Sequence, residues 1–135
     1  MSRDRAFEAG RWLAQARHDL DSARLLSDHE RHAAACFFAQ QGAEKALKAY
    51  LYGRGAEVVV GHSVAQLCDE IARLAPALAE RCREWATLDQ YYIPTRYPDA
   101  LPGGVPAEVY TAAQATHALG LADDVVAHVQ RRLDG

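Results

Sequence analysis

Twenty consecutive residues, AAACFFAQQGAEKALKAYLY (33–52), constrain this chain more than any other feature. The stretch is apolar on almost every side at helical spacing. A helix of that kind must be covered by neighbours on several sides, so it belongs at the centre of a helical bundle. It has a single polar strip: Gln41, Glu44, Lys45 and Lys48 share one face, with Glu44 placed to pair with Lys48 at i, i+4. Gly53 and Gly55 mark its end.

The segments around it supply the cover. Residues 4–28 carry one apolar stripe, Ala9, Leu13, Ala16, Leu20 and Ala23, and predict a long helix. Residues 27–32 read as a short turn. Ser63 followed by Gln66 opens a third helix with a capping-box pattern. Pro76 begins a fourth, expected to run to about Tyr92. A last helix is expected from about Pro106 to Leu133, with Ala115, Ala118, Ala122, Val125 and Val129 on its inner face. Glu57–Val60 has no partner strand and reads as a loop packed on the bundle. The fold class is therefore all-α: an up-and-down antiparallel bundle of four to five helices, in one domain over residues 1–135.

Composition narrows the function. A net charge of -3 and a pI near 6.0 exclude a broad basic coat for nucleic acid, while leaving room for a local basic site. No apolar run is long enough to cross a bilayer, and the N-terminus lacks a signal peptide's apolar core. Cys36, Cys68 and Cys82 have no metal or redox spacing and read as buried thiols of a cytoplasmic protein. No histidine follows a glutamate at i+3, so a di-metal bundle site is not expected. His117 and His128, with Asp124, read as a solvent-facing group. No metal and no cofactor is implied.

Two features point to a site. The chain has thirteen arginines and only two lysines, and both lysines, Lys45 and Lys48, lie in the polar strip. A compact ammonium at both places suggests specific partners rather than a solvated edge, and Asp19 on the first helix is a plausible one. The second feature is the segment LDQYYIPTRYPDALPGG (88–104). Its prolines stiffen the backbone. A stiff loop holds Arg96 at low entropic cost, ready for bidentate contact with phosphate. Tyr91, Tyr92 and Tyr97 offer faces for stacking on a base. The competing reading packs these tyrosines into the bundle and pairs Arg96 with Asp99 or Glu44.

FFAQQGAEKALKAYL (37–51), GHSVAQL (61–67), YYIPTRYPD (91–99) and the opening RWLAQARHDLDSARLL (11–26), with Asp19 inside ARHDL, together resemble the HEPN family, the higher-eukaryote and prokaryote nucleotide-binding domains. The resemblance implies a helical bundle, often a homodimer, commonly encoded beside a minimal nucleotidyltransferase and in some cases forming a toxin–antitoxin pair. Many members are metal-independent endoribonucleases that use an arginine followed at short spacing by a histidine. Here positions 101 to 103, where that histidine would fall after Arg96, read Leu, Pro, Gly. Arg11 with His18, and Arg24 with His29, match the spacing by chance in the wrong helix.

The expected function is a nucleotide- or RNA-phosphate-binding homodimer that partners a nucleotidyltransferase. Its ligand-binding residues would be Lys45, Lys48, Glu44, Arg96, Tyr91, Tyr97 and Asp19, with the two lysines and Arg96 converging in one electropositive hollow. The alternatives are an endoribonuclease toxin using Arg96 with a substitute base, His62 or Asp99, and a purely structural subunit.

Overall fold

The computed structural model describes residues 3–135 and is an all-α bundle. Among the described residues there are six α-helices: α1 (Arg3–Asp28), α2 (His32–Gly53), α3 (Val64–Leu74), α4 (Ala79–Trp85), α5 (Pro106–Val109) and α6 (Ala112–Asp134). Short 3-10 turns cover Pro76–Leu78, Ala86–Tyr91 and Pro98–Ala100. None of the helices is long and apolar enough to cross a membrane.

α2 is the central element and packs against α1, α3, α5 and α6. Cross-helix partners fix the directions. Trp12 stacks on Tyr52, Asp19 meets Lys45, and Leu20 lies against Gly42, so α1 and α2 are antiparallel. Arg17 reaches Gln130 and Arg24 reaches Asp123, so α6 is antiparallel to α1 as well. Every residue of the two expected stripes, Ala9 to Ala23 on α1 and Ala115 to Val129 on α6, is buried. Trp85, Leu47, Leu51, Ile71 and Leu88 fill the rest of the core with Cys36, Cys68 and Cys82, whose thiols are free and buried. Burial pushes the Cys36 thiol up to about 11.

Two helix boundaries differ from the sequence expectation. The helix expected from Pro76 to Tyr92 is regular only over Ala79–Trp85; a 3-10 turn follows and swings Asp89 toward the start of α3. The last helix does not run unbroken from Pro106. Tyr110 and Thr111 are extended, and α6 restarts behind a full capping box, in which the Thr111 hydroxyl accepts from the Gln114 backbone and the Gln114 side chain accepts from the Thr111 N–H. At α3 only half of the expected box forms: Ser63 accepts from the Gln66 N–H.

Glu57–Val60 is a loop, as expected, but only Val59 packs on the bundle; Val58 and Val60 are 76% and 80% exposed. His128 and His117 do not form a solvent-facing pair. His128 is tucked against Trp85, with Asp124 at 3.5 Å, and desolvation holds its pKa below the ordinary histidine value.

The closeness of α1 and α2 depends on Gly42. A Cβ there would lie 2.8 Å from Leu20 Cδ2 and 3.1 Å from the Ala16 carbonyl oxygen. Gly42→Ala is therefore expected to lower the unfolding free energy by about 1–3 kcal/mol, the usual cost of overpacking. Urea denaturation checks this, and a loss below about 0.5 kcal/mol would mean that α1 and α2 leave room for a methyl group at this contact.

Candidate functional site

The site begins with α2's polar strip, which is not a solvated edge. Glu44 is 1% exposed and Lys48 5%. A charged pair buried this deeply is costly unless each member is satisfied. The Lys48 ammonium lies 3.0 Å from Glu44 Oε1, and it also sits 5.3 Å over the Trp12 ring. Lys45, farther out, meets the Asp19 carboxylate at 2.5 Å, and Gln15 donates to the other oxygen of Asp19.

The same Glu44 oxygen meets a third group. His62, in the loop before α3, places Nδ1 3.1 Å from it. The imidazole is 65% exposed but fixed, because it stacks on Tyr92 at 5.9 Å with 14° between planes. The loop backbone is fixed as well: the Gln40 side-chain amide donates to the His62 carbonyl.

Asp89 anchors the end of this network. Its carboxylate accepts from Gln40, from the Ser63 hydroxyl, and from the backbone N–H groups of Val64 and Ala65. Two of these are orphan donors of α3's first turn, so a carboxylate from a distant segment caps that helix and interacts favourably with its dipole. No short-range motif announces this. Its partners are twenty-four or more positions away, so nothing local in the sequence distinguishes Asp89 from the other acids.

Arg96 sits at the outer end of the same layer. Its guanidinium carbon is 4.5 Å from the Phe37 ring centre, 4.7 Å from Tyr92 and 5.1 Å from Tyr97. Nε donates to the Tyr92 carbonyl at 2.9 Å. Below it the buried Thr95 donates its hydroxyl to the Tyr91 carbonyl and pins the loop. Among the described residues no carboxylate lies within 4.0 Å of Arg96, so it pairs with neither Asp99 nor Glu44. A fixed guanidinium with its terminal nitrogens unspent is built to receive an anion.

Beside this layer lies a cleft of about 360 Å³, lined by His62, Ser63, Gln66, Asp89, Gln90, Tyr92, Ile93 and Pro94. A larger groove of about 890 Å³ runs between α1 and α2 past Trp12, Tyr52 and Lys45. Its cations are already paired, Arg11 with Glu8 and Lys45 with Asp19.

The comparisons with known proteins agree with this architecture. The HEPN domain family model matches residues 9–132. The chain belongs to the HEPN domain family. It is similar to TT1696 from Thermus thermophilus, at 43% identity and a TM-score of 0.80, over 92% of this chain and 97% of that one. It is also similar to ST0689, an archaeal HEPN homologue, at 32% identity and a TM-score of 0.75, over 93% of this chain and 98% of that one. No curated protein matches.

Within this HEPN domain the sequence-derived candidates fall into groups. Glu44, Lys48 and His62 form one cluster, and Lys45 with Asp19 forms a second. Arg96, Tyr92 and Tyr97 form a third, joined to the first through the stack of His62 on Tyr92. The single hollow expected of Lys45, Lys48 and Arg96 is not formed within the subunit. The lysines lie eight and eleven residues beyond Phe37, over which Arg96 sits, about 12 and 16 Å along α2. Tyr91 is 3% exposed and packs edge-on to Tyr110, with its hydroxyl's pKa raised by burial; Tyr92 provides the aromatic face instead. Asp99 is exposed at the loop's outer turn, with no ion-pair partner among the described residues.

Asp89→Ala would strand the donors of Gln40, Ser63 and the α3 N-terminus together. The unfolding free energy should drop by about 2–4 kcal/mol, as read by urea denaturation at neutral pH. Retention of wild-type stability would show that the cap is dispensable.

Proposed function

We propose that this HEPN domain is a homodimeric module that binds nucleotide or RNA phosphate and acts with a minimal nucleotidyltransferase partner, as in toxin–antitoxin pairs. One observation carries the binding reading: Arg96 is held on three aromatic rings, hydrogen-bonded through Nε, and left without a carboxylate partner. Three rings and one hydrogen bond hold this guanidinium in a single pose, so little entropy remains to be lost when it meets an anion. The guanidinium supplies the anion contact, and the exposed Tyr97 supplies a face on which a base stacks. Glu44, balanced by Lys48, acts from beneath by holding His62. Lys45 and Asp19 brace α1 against α2 at the neighbouring groove. The partner enzyme and the dimer rest on the family resemblance of the four sequence blocks.

The ribonuclease reading is favoured by a different observation. His62, held by Glu44, shares the Tyr92 ring with Arg96 and so brings a histidine to the arginine that lacks one in sequence. In that reading Arg96 stabilises charge on the phosphate and His62 is the base. Asp99 is the weaker candidate, because nothing in the structure orients it.

Thermal unfolding in the presence of AMP, ATP and an eight-nucleotide oligouridylate separates these readings. Binding raises the melting temperature of the wild type with at least one ligand, and Arg96→Ala abolishes the rise while leaving the unliganded melting temperature within about 2 °C. Growth arrest on expression, relieved by the same substitution, supports the ribonuclease. Neither effect leaves a structural subunit.

A further inference from the structure

We infer that His62 is a second phosphate anchor beside Arg96, and that protonation of its free nitrogen sets when the site binds. This rests on the phosphate-binding reading above and adds a residue and a regulator to it. The buried Glu44 carboxylate faces Nδ1 at 3.1 Å. An ionised carboxylate only accepts hydrogen bonds, so the ring proton resides on Nδ1. Neutral His62 therefore presents Nε2 as a lone pair, which repels a phosphate oxygen. Protonated His62 presents an Nε2–H donor with positive charge, which attracts one.

The surrounding charges make this proton count. On α2, Lys48 balances Glu44 through the same carboxylate oxygen, at 3.0 Å. That pair is neutral before His62 gains its proton, so protonation adds one full positive charge. From the 3-10 turn, the Asp89 carboxylate is taken up by three donors at the α3 N-terminus and by the Gln40 side chain of α2. Tyr92, from the segment that follows, contributes an uncharged face. Beyond it, Arg96 caps the same ring and carries the permanent charge. His62 and Arg96 thus both contact the Tyr92 ring, one bringing a charge that depends on its proton and the other a permanent charge. Glu44 is a positioning residue: it fixes the tautomer and does not touch the ligand.

Calorimetric titration with an eight-nucleotide oligouridylate tests the inference, because neither its phosphodiesters nor its bases change charge between pH 5.5 and 8.0. For the wild type the Kd should rise about tenfold across that range, the usual weight of one charge-assisted hydrogen bond. His62→Gln, at an exposed position, should fold normally and bind at one weakened affinity throughout. Glu44→Gln replaces an acceptor with a group that also donates, which releases the tautomer. Its Kd should change less between pH 5.5 and 8.0 than that of the wild type, whereas loss of the Glu44 charge alone would tighten binding at every pH. A wild-type profile without slope, or an unchanged slope in His62→Gln, overturns the inference while leaving the Arg96 reading intact. Absence of binding at every pH removes both.

Discussion

The structure turns on a carboxylate that has no business in a core unless it is shared. Glu44 lies in the middle of the central helix, where desolvation penalises a charge most heavily. Lys48 and His62 make it tolerable, and each is thereby fixed in place. Removing Lys48 would leave a buried charge unpaired, whereas keeping both partners ties the interior of the bundle to an exposed imidazole. The cost of burial in α2 is thus what positions a side chain at the surface.

The rest of the site follows from that tie. His62 lies flat on Tyr92, and Tyr92 also supports Arg96. Gln40, one turn before Glu44, holds the His62 carbonyl and contacts Asp89, which caps α3. Helix α3 and the arginine loop are accordingly registered against the same stretch of α2. The stiff 88–104 segment is both connector and site: Tyr91 and Thr95 anchor it inward, while Tyr92, Arg96 and Tyr97 face outward.

Much of this was legible in the sequence, and the limits have physical causes. The stripes of α1 and α6 and the central place of α2 follow from periodicity, which records burial directly. Glu44 with Lys48, and Asp19 with Lys45, were also readable, the first from helical spacing and the second from the scarcity of lysine. The break at Thr111 carried a signal, T-x-x-Q, that the continuous apolar stripe outweighed. The 3-10 turn after Trp85 and the reach of Asp89 to α3 carried none, since they depend on long-range contacts. Shared positive charge puts Arg96 and the lysines in one chemical class but not in one place. Polarity does not encode position along a helix, so the relay through His62 and Tyr92 stayed hidden.

In the function proposed, Arg96 on its aromatic platform is the anion-receiving group, and the lysines are spent on structure. Side-chain NMR resolves the two kinds of cation directly. On titration with the oligouridylate, the Arg96 Nε–H resonance and the rings of Tyr92 and Tyr97 should shift and saturate together, while the Lys45 and Lys48 ammonium signals stay in place. Saturating shifts at the lysines with Arg96 unmoved would contradict the account.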